Sequence, residues 1–593
     1  MVPVTHVLGF IVFSKLFAGF LMHRFQKGLL SGATAIQTDL MQCAAYGLGT
    51  DIPLLQHLQQ CWKHSHVYFW KPTSGYDAEH VDSTSLVDPG EACSEWNLSW
   101  KTAVSVNPAY QLKEVEFSLR KVGCKAIVCP TQFRTQKYCD MLTQICPEIE
   151  SSTPGDIRSA RLPDLRSVIT LGNRQPGMFH LEDVMQAGSS QYMQQLQDLQ
   201  KKLSCDDPIN IQFTSGTTGA PKGATLSHHS IINNAQFVGN RLGYNWRPHI
   251  RVCLPVPLYH CFGSVGGGLC MALHGVSLVF PSAGYDGKAN LAAMESERCT
   301  VIYGTPTMYV DMVNHPDLAK HDLSSVETGI MAGAPCPPEL VKKVIYVMGI
   351  KEITIGYGTT ENSPVTFFSS PTDNLERKCE TTGYIIDHLE AKIVNPTTGE
   401  VVPLGMTGEI MIRGHCVMKG YWGDKDKTEE CITKDRFYKT GDIGSMDAYS
   451  YLKIEGRIKD LIIRGGENIY PAEIEQFLHT HSKVKEAQVV GVEDSRLGEE
   501  ICACIKLVDG EVCTAEEIKA YCKGQVRPKS DAQGLIIYLV KQFERLHLLL
   551  SDGLLQDSSL HYFYDQLPDH HYWKGKSSYI PLNDGQTKFI FQE

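Results

Sequence analysis

The stretch Thr214-Ser215-Gly216-Thr217-Thr218-Gly219-Ala220-Pro221-Lys222-Gly223 combines small hydroxyl side chains, glycines and a single lysine. That mixture suits a loop that grips a triphosphate, because glycines let backbone N–H groups approach phosphate oxygens and the lysine adds a point charge. The preceding Ile209-Asn210-Ile211-Gln212-Phe213 alternates apolar and polar residues, so the loop is expected to begin where a strand ends. It is not a Walker A loop, since Pro221 precedes the lysine and Gly223 follows it. Taken alone, a Ser/Thr/Gly run is also a linker composition. Four strings downstream decide the matter: Tyr357-Gly358-Thr359-Thr360-Glu361, Tyr438-Lys439-Thr440-Gly441-Asp442, Gly456-Arg457-Ile458-Lys459-Asp460, and Arg464-Gly465-Gly466-Glu467-Asn468-Ile469-Tyr470-Pro471.

In content and order these strings resemble the adenylate-forming superfamily, which includes acyl-CoA synthetases, luciferases and the adenylation domains of peptide synthetases. Within it, residues 104–524 look most like the mitochondrial medium-chain acyl-CoA ligases. The resemblance implies an ATP-dependent ligase that turns a medium-chain fatty acid into an acyl-adenylate and passes it to coenzyme A, with Mg²⁺ as the metal. It implies that Thr214, Ser215, Gly216, Thr217, Thr218, Gly219, Ala220, Pro221 and Lys222 hold the phosphates. Thr360 would contact the α-phosphate, and Glu361 would hold Mg²⁺, a hard ion that takes oxygen ligands. Gly333-Ala334-Pro335 and Tyr357 would form the adenine cleft, Asp442 and Arg457 would reach the ribose, and His260, after Tyr259, would stand beside the reacting carboxylate. Lys459 would be the hinge about which a small domain turns to present Gly465-Gly466 to the coenzyme. The family's closing segment carries a catalytic lysine that has no counterpart after Gly524. Lys588, in Asp584-Gly585-Gln586-Thr587-Lys588, has the wrong spacing and neighbours for it. The alternative expectation is therefore a non-catalytic chain that binds ATP or acyl-AMP.

Elements are needed to hold these residues together. Short apolar runs at 126–129, 167–171, 209–213, 276–280, 301–303, 330–332 and 353–356 alternate with helical stretches, which predicts an α/β fold with a large multi-subdomain part at 104–458. Runs at 391–394 and 408–413 around a Pro396-Thr397-Thr398-Gly399 turn predict an antiparallel or barrel-like subdomain. A small α+β lid domain, truncated so that it breaks off after Gly524, is expected over 459–524, with a helix opening at Pro471, strands at 487–492 and 501–507, and a helix opened by Thr514 with Glu517 at capping-box spacing. Residues 1–103 show no sustained period and read as coil. In the tail, 525–593, residues 534–555 read as an amphipathic helix.

Composition narrows the partners. A net charge of −11 over 593 residues, with basic residues scattered, offers no electrostatic footprint for nucleic acid. Twenty cysteines without a C-x-x-C pair fit reduced thiols better than a disulfide framework. The apolar run 7–22 is interrupted by Lys15 and is short for a span of about 20 residues, so no transmembrane helix is expected; the absence of acids before Asp39, with Lys15, Arg24 and Lys27 present, suits an organelle transit segment, and sequence from an aberrant first exon is the alternative. The Asn97-Leu98-Ser99 sequon is a chance match. Oligomeric state has no signal in the sequence.

Overall fold

The computed structural model describes residues 102–188, 192, 194, 204–214, 221–464, 467–494, 498–508 and 510–522, with strands at 66–69, 79–82 and 536–539. The run 7–22, the sequon at Asn97, loop residues 215–220, Gly465, Gly466 and Lys588 lie outside the described residues.

A nine-stranded sheet organises the large domain. Its parallel centre runs β13 (Glu352–Gly358), β12 (Thr328–Ala332), β11 (Val301–Gly304), β9 (Arg251–Cys253), β10 (Ser277–Phe280) and β1 (His66–Phe69). Antiparallel strands close both ends: β14 (Val365–Phe368) and β15 (Tyr384–Ile385) on one side, β2 (Glu79–Asp82) on the other. The central strands read as unbroken apolar runs because both faces are covered. Val301 and Tyr303 enter one core while Ile302 enters the other, and Ile330 and Met331 divide in the same way. The helix His228–Leu242 covers the first face with Ile231, Ile232, Ala235 and Val238. Ser227 caps its N-terminus by accepting from Ser230 N–H at 3.1 Å, and Gly243, at φ 81°, ends it in the left-handed conformation that favours glycine. Helices Gly287–Ser296, Pro306–Val313 and Pro338–Tyr346 cover the second face.

A second sheet orders β18 (Gly420–Tyr421), β8 (Lys222–Ser227), β7 (Pro208–Thr214) and β3 (Ala103–Ser105). A three-stranded parallel sheet, β4 (Ala126–Cys129), β5 (Ser167–Thr170) and β6 (Phe179–His180), has its own core around Leu142, Ile145 and Val168. The expected antiparallel subdomain is a four-stranded sheet of β16 (Leu389–Val394), β17 (Gly408–Gly414), β19 (Tyr438–Met446) and β20 (Leu452–Arg457).

The small domain pairs β22 (Glu467–Ile469), β21 (Ile462–Arg464), β24 (Gly498–Leu507) and β23 (Val484–Asp494), covered by helices Pro471–Leu478 and Ala515–Cys522. The capping box forms: Glu517 N–H donates to Thr514 Oγ1 at 3.2 Å, and Thr514 N–H donates to Glu517 Oε2 at 2.8 Å.

Two segments differ from the sequence reading. The tail stretch expected to be an amphipathic helix contains a strand, β25 (Ile536–Leu539), which pairs parallel with β24 through Cys502↔Ile536 to Ile505↔Leu539. Ile536-Ile537-Tyr538-Leu539 is β-branched and aromatic, so a free strand edge outweighs the helical spacing. Likewise His66-Val67-Tyr68-Phe69, in the stretch read as coil, adds to the edge of β10 as β1. Four residues are too few to display a period, and only the edge they join selects the strand. Among the described residues no helix is long and apolar enough to cross a membrane, and every cysteine is a free thiol.

Candidate active site

Three of the parallel strands send their outgoing turns to the same edge of the main sheet. Tyr259-His260 come after β9, Gly333-Ala334-Pro335 leave β12, and β13 runs out through Tyr357-Gly358 into Thr359-Thr360-Glu361. The carboxyl edge of an open α/β sheet is where ligands are bound. The β12/β13 register sets Ala332 opposite Gly356, which makes Gly333 and Tyr357 neighbours. Gly333, at φ 90°, takes a conformation that disfavours a side chain, and Gly333-Ala334-Pro335 are exposed. Gly358 is under a different constraint: a Cβ there would stand 1.8 Å from the Pro364 carbonyl oxygen. Gly358→Ala is expected to cost about 1–3 kcal/mol by overpacking and to displace Tyr357 and Thr360, read as a lower melting temperature together with weakened ATP binding.

Thr360–Asn362 forms one 3₁₀ turn that buries both Thr360 and Glu361. The Glu361 carbonyl accepts from Met418 N–H at 2.8 Å, and its Oε1 accepts from the Tyr421 hydroxyl at 2.8 Å. Oε2 has no hydrogen-bond partner among the described residues, and no cluster of three or more His, Cys, Asp or Glu that could hold a metal occurs among them. A single buried carboxylate with one open oxygen fits Mg²⁺, which is commonly held by one or two carboxylates plus substrate phosphates.

Thr214 and Lys222 are paired residues of the β7/β8 hairpin, so the phosphate-loop candidate is the hairpin's connection. Thr214 Oγ1 donates to Lys222 O at 3.4 Å, and Pro221 is the last loop residue before β8. The Lys222 ammonium donates to the Tyr421 hydroxyl at 3.1 Å and lies 4.5 Å from that ring's centroid. Lys222, Tyr421 and Glu361 therefore form one chain of hydrogen bonds. Burial, reinforced by the Glu361 carboxylate, pushes the Tyr421 phenol well above its ordinary pKa, so it remains a donor.

His260 is exposed, yet its ring is crowded by protein, and the lost hydration pushes its pKa down to about 4. Its Nδ1 accepts from Phe262 N–H at 3.1 Å, which requires the neutral ring. The neighbouring Cys261 thiol lies 4.0 Å from Thr360 Oγ1, bringing the His260 turn against the Thr360 turn. A histidine depressed in the folded state contributes stability that is complete above the ordinary 6.5 and is lost as pH falls toward about 4. Thermal melts from pH 7 to 4 are expected to show wild type losing stability more steeply than His260→Gln, and activity is expected to show no limb from His260 near neutrality.

Asp442 collects the remaining predicted groups. Its Oδ2 accepts from the Tyr357 hydroxyl at 2.6 Å, and its Oδ1 accepts from Arg457 Nε at 3.0 Å. Asp442 and Arg457 are paired across β19 and β20. The Thr440-Gly441-Asp442 string has a local cause: Gly441 stands at φ 73°, its N–H donates to Glu409 Oε1 at 3.2 Å, and Asp442 N–H donates to Thr440 Oγ1 at 3.0 Å. The register shifts just beyond it, between Ile443 and Gly444, and such irregularities re-aim a side chain. Lys459 lies in the short turn Ile458–Asp460 that joins β20 to β21, at the junction of the two domains. Loss of hydration lowers its pKa, against the pull of Asp460.

The structure thus brings Lys222, Thr360, Glu361, His260, Gly333-Ala334-Pro335, Tyr357, Asp442 and Arg457 to one side of the molecule. Tyr421 is the residue that sequence reasoning missed. It lies 199 residues from Lys222 and 60 from Glu361, and only the pairing of β18 with β8 connects the three.

The AMP-binding enzyme family matches residues 101–422, and the AMP-binding enzyme C-terminal domain matches residues 473–545. The chain belongs to the family of AMP-binding, adenylate-forming enzymes. It is 71% identical over 423 residues to medium-chain acyl-CoA ligase ACSF2, mitochondrial, of Danio rerio, covering 71% of this chain and 70% of that one. It is 54% identical over 426 residues to the Homo sapiens protein of the same name, covering 71% and 69%. Among solved structures it is similar to ATP-bound MatB from Rhodopseudomonas palustris, with a TM-score of 0.63 and 26% identity over 76% of this chain and 83% of that one. The C-terminal match runs past Gly524 and includes β25.

Proposed function

We propose that this chain is an ATP-dependent acyl-CoA ligase, which activates a medium-chain fatty acid as its acyl-adenylate and transfers the acyl group to coenzyme A, releasing AMP and pyrophosphate. The observation that carries this reading is the convergence of the Tyr357–Asp442–Arg457 network and the Lys222–Tyr421–Glu361 chain on one edge of the sheet. The names borne by the similar proteins support the substrate class, and their mitochondrial designation supports a mitochondrial location, within which the matrix is the compartment we assign.

Carboxylate and triphosphate are both anionic, so their approach needs fixed positive charge and aimed donors. Lys222 supplies that charge at the end of the phosphate loop, whose members Ser215 to Ala220 are assigned by motif. Each Asp442 oxygen accepts one bond from the protein and keeps capacity for a second, which suits the two ribose hydroxyls. The Tyr357 ring, fixed by its hydroxyl on Asp442, offers a face for a purine beside Gly333-Ala334-Pro335. Glu361 would hold Mg²⁺, which neutralises phosphate charge when bound. Thr360 stands where the adenylate would form, and neutral His260 offers Nε2–H to the carboxylate. Lys459 is the hinge that lets the small domain bring Gly465-Gly466 to the thiol of coenzyme A in the second half-reaction.

The test is carboxylate-dependent ATP–pyrophosphate exchange by the purified protein with Mg²⁺ and octanoate. Exchange that requires octanoate is expected. ATP binding without exchange would contradict the reading and favour a non-catalytic binder.

A further inference from the structure

Tyr421 ends the two-residue strand β18 and is seated by its backbone as well as by its ring. Its N–H donates to Thr428 Oγ1 at 2.9 Å, the Thr428 hydroxyl donates to Asp424 O at 2.7 Å, and Trp422 N–H donates to Gly223 O at 2.8 Å. Gly420, at φ 146°, permits the approach: a Cβ there would stand 2.6 Å from Thr428 Cγ2. The outcome is a phenol only 6% exposed, fixed between two groups of opposite charge.

The bonds around that hydroxyl have one possible order. An ammonium can only donate and an ionised carboxylate can only accept. The single phenolic proton therefore goes to Glu361 Oε1, and the oxygen lone pair receives Lys222 Nζ. The hydroxyl occupies one carboxylate oxygen and leaves the other, and it keeps the lysine beside the loop that the β7/β8 hairpin carries. Without this link, Glu361 and Lys222 would be free to pair directly, and each would be spent on the other rather than on a ligand.

We propose that Tyr421 is a positioning residue for nucleotide activation: its hydroxyl separates Lys222 from Glu361, keeping Oε2 of Glu361 for a divalent cation and the ammonium for phosphate. The chemistry served by this role rests on the ligase reading, whereas its test does not. Calorimetric titration of ATP, once with EDTA and once with excess Mg²⁺, yields the gain in affinity that magnesium supplies. Tyr421→Phe keeps the ring over which Lys222 lies and removes hydrogen bonds to two charged groups, so the magnesium gain is expected to fall about tenfold. A general loosening of the fold would weaken both titrations alike and leave that ratio intact. Thr428→Val, which removes the acceptor for Tyr421 N–H, is expected to reduce the gain in the same direction and carries the test if Tyr421→Phe does not fold. A gain within about twofold of wild type in the folded variants, or a wild-type protein with no magnesium gain, overturns the proposal. Octanoate-dependent exchange on the same samples separates the two conclusions: its absence from a wild type that shows the magnesium gain counts against the ligase reading alone.

Discussion

Lys222→Ala is expected to lower octanoate-dependent pyrophosphate exchange by about 10²–10³, the cost of losing one preorganised charge or donor aimed at a transition state. The effect should fall on rate more than on stability. Lys222 is only partly buried, and among the described residues its charged end is hydrogen-bonded to one side chain, Tyr421, over whose ring it also lies. Removing it leaves the Tyr421 hydroxyl bonded to Glu361, so no buried polar group is orphaned and stability should change by less than about 1 kcal/mol. Exchange kinetics together with a thermal melt check both halves. A large fall in melting temperature with an unchanged rate constant would show that Lys222 has a structural role instead.

Asp442→Ala is expected to be the other severe change, with a different signature. Its carboxylate is nearly buried and accepts from both Tyr357 and Arg457, so truncation removes one acceptor from a half-buried phenol and one from a partly exposed guanidinium. Affinity for ATP should fall by about 10–100-fold, the equivalent of losing one or two hydrogen bonds to a charged group. The melting temperature should drop as well, because removing one partner of a buried network costs more than the network contributes net. Asp442→Asn keeps the shape and one acceptor oxygen, so it should recover most of the stability and only part of the affinity. Calorimetry with ATP and melts of both variants read this split, and equal effects from Ala and Asn would oppose it.

The two sites differ in how far their sequence announces them. Strands β4, β7, β11 and β12 are apolar or alternating runs bounded by turn residues, and the structure places them at or within a few residues of the expected positions. The Thr440-Gly441-Asp442 and Tyr357-Gly358-Thr359-Thr360-Glu361 strings are legible because local backbone demands select their residue types: a left-handed glycine before Asp442, and no room for a side chain at Gly358. Tyr421 was not legible. Lys419-Gly420-Tyr421-Trp422 has no chemistry in its spacing, and its meaning comes from β18 pairing with β8 across nearly two hundred residues. β25 departs from the helical expectation for a related reason: a short apolar segment fits a helix or a strand, and only the edge of β24 chooses between them.

That edge also bears on the small domain. Its core of Ile462, Ile474, Leu478, Val489, Ile501 and Ile518 is closed by two helices on a sheet that extends past Gly524. Arg464, at the end of β21, makes a two-pronged pair with Glu500, at 2.5 and 2.9 Å, which ties β21 to β24.

In the proposed site the Tyr357–Asp442–Arg457 network and the Lys222–Tyr421–Glu361 chain serve one ligand. A crystal structure of the protein with a non-hydrolysable octanoyl sulfamoyl adenosine tests it most directly. Adenine is expected against Tyr357 and Gly333-Ala334-Pro335, both ribose hydroxyls on Asp442, and the sulfamoyl group beside Thr360. An adenosine bound elsewhere, or a ribose out of hydrogen-bonding reach of Asp442, would contradict it.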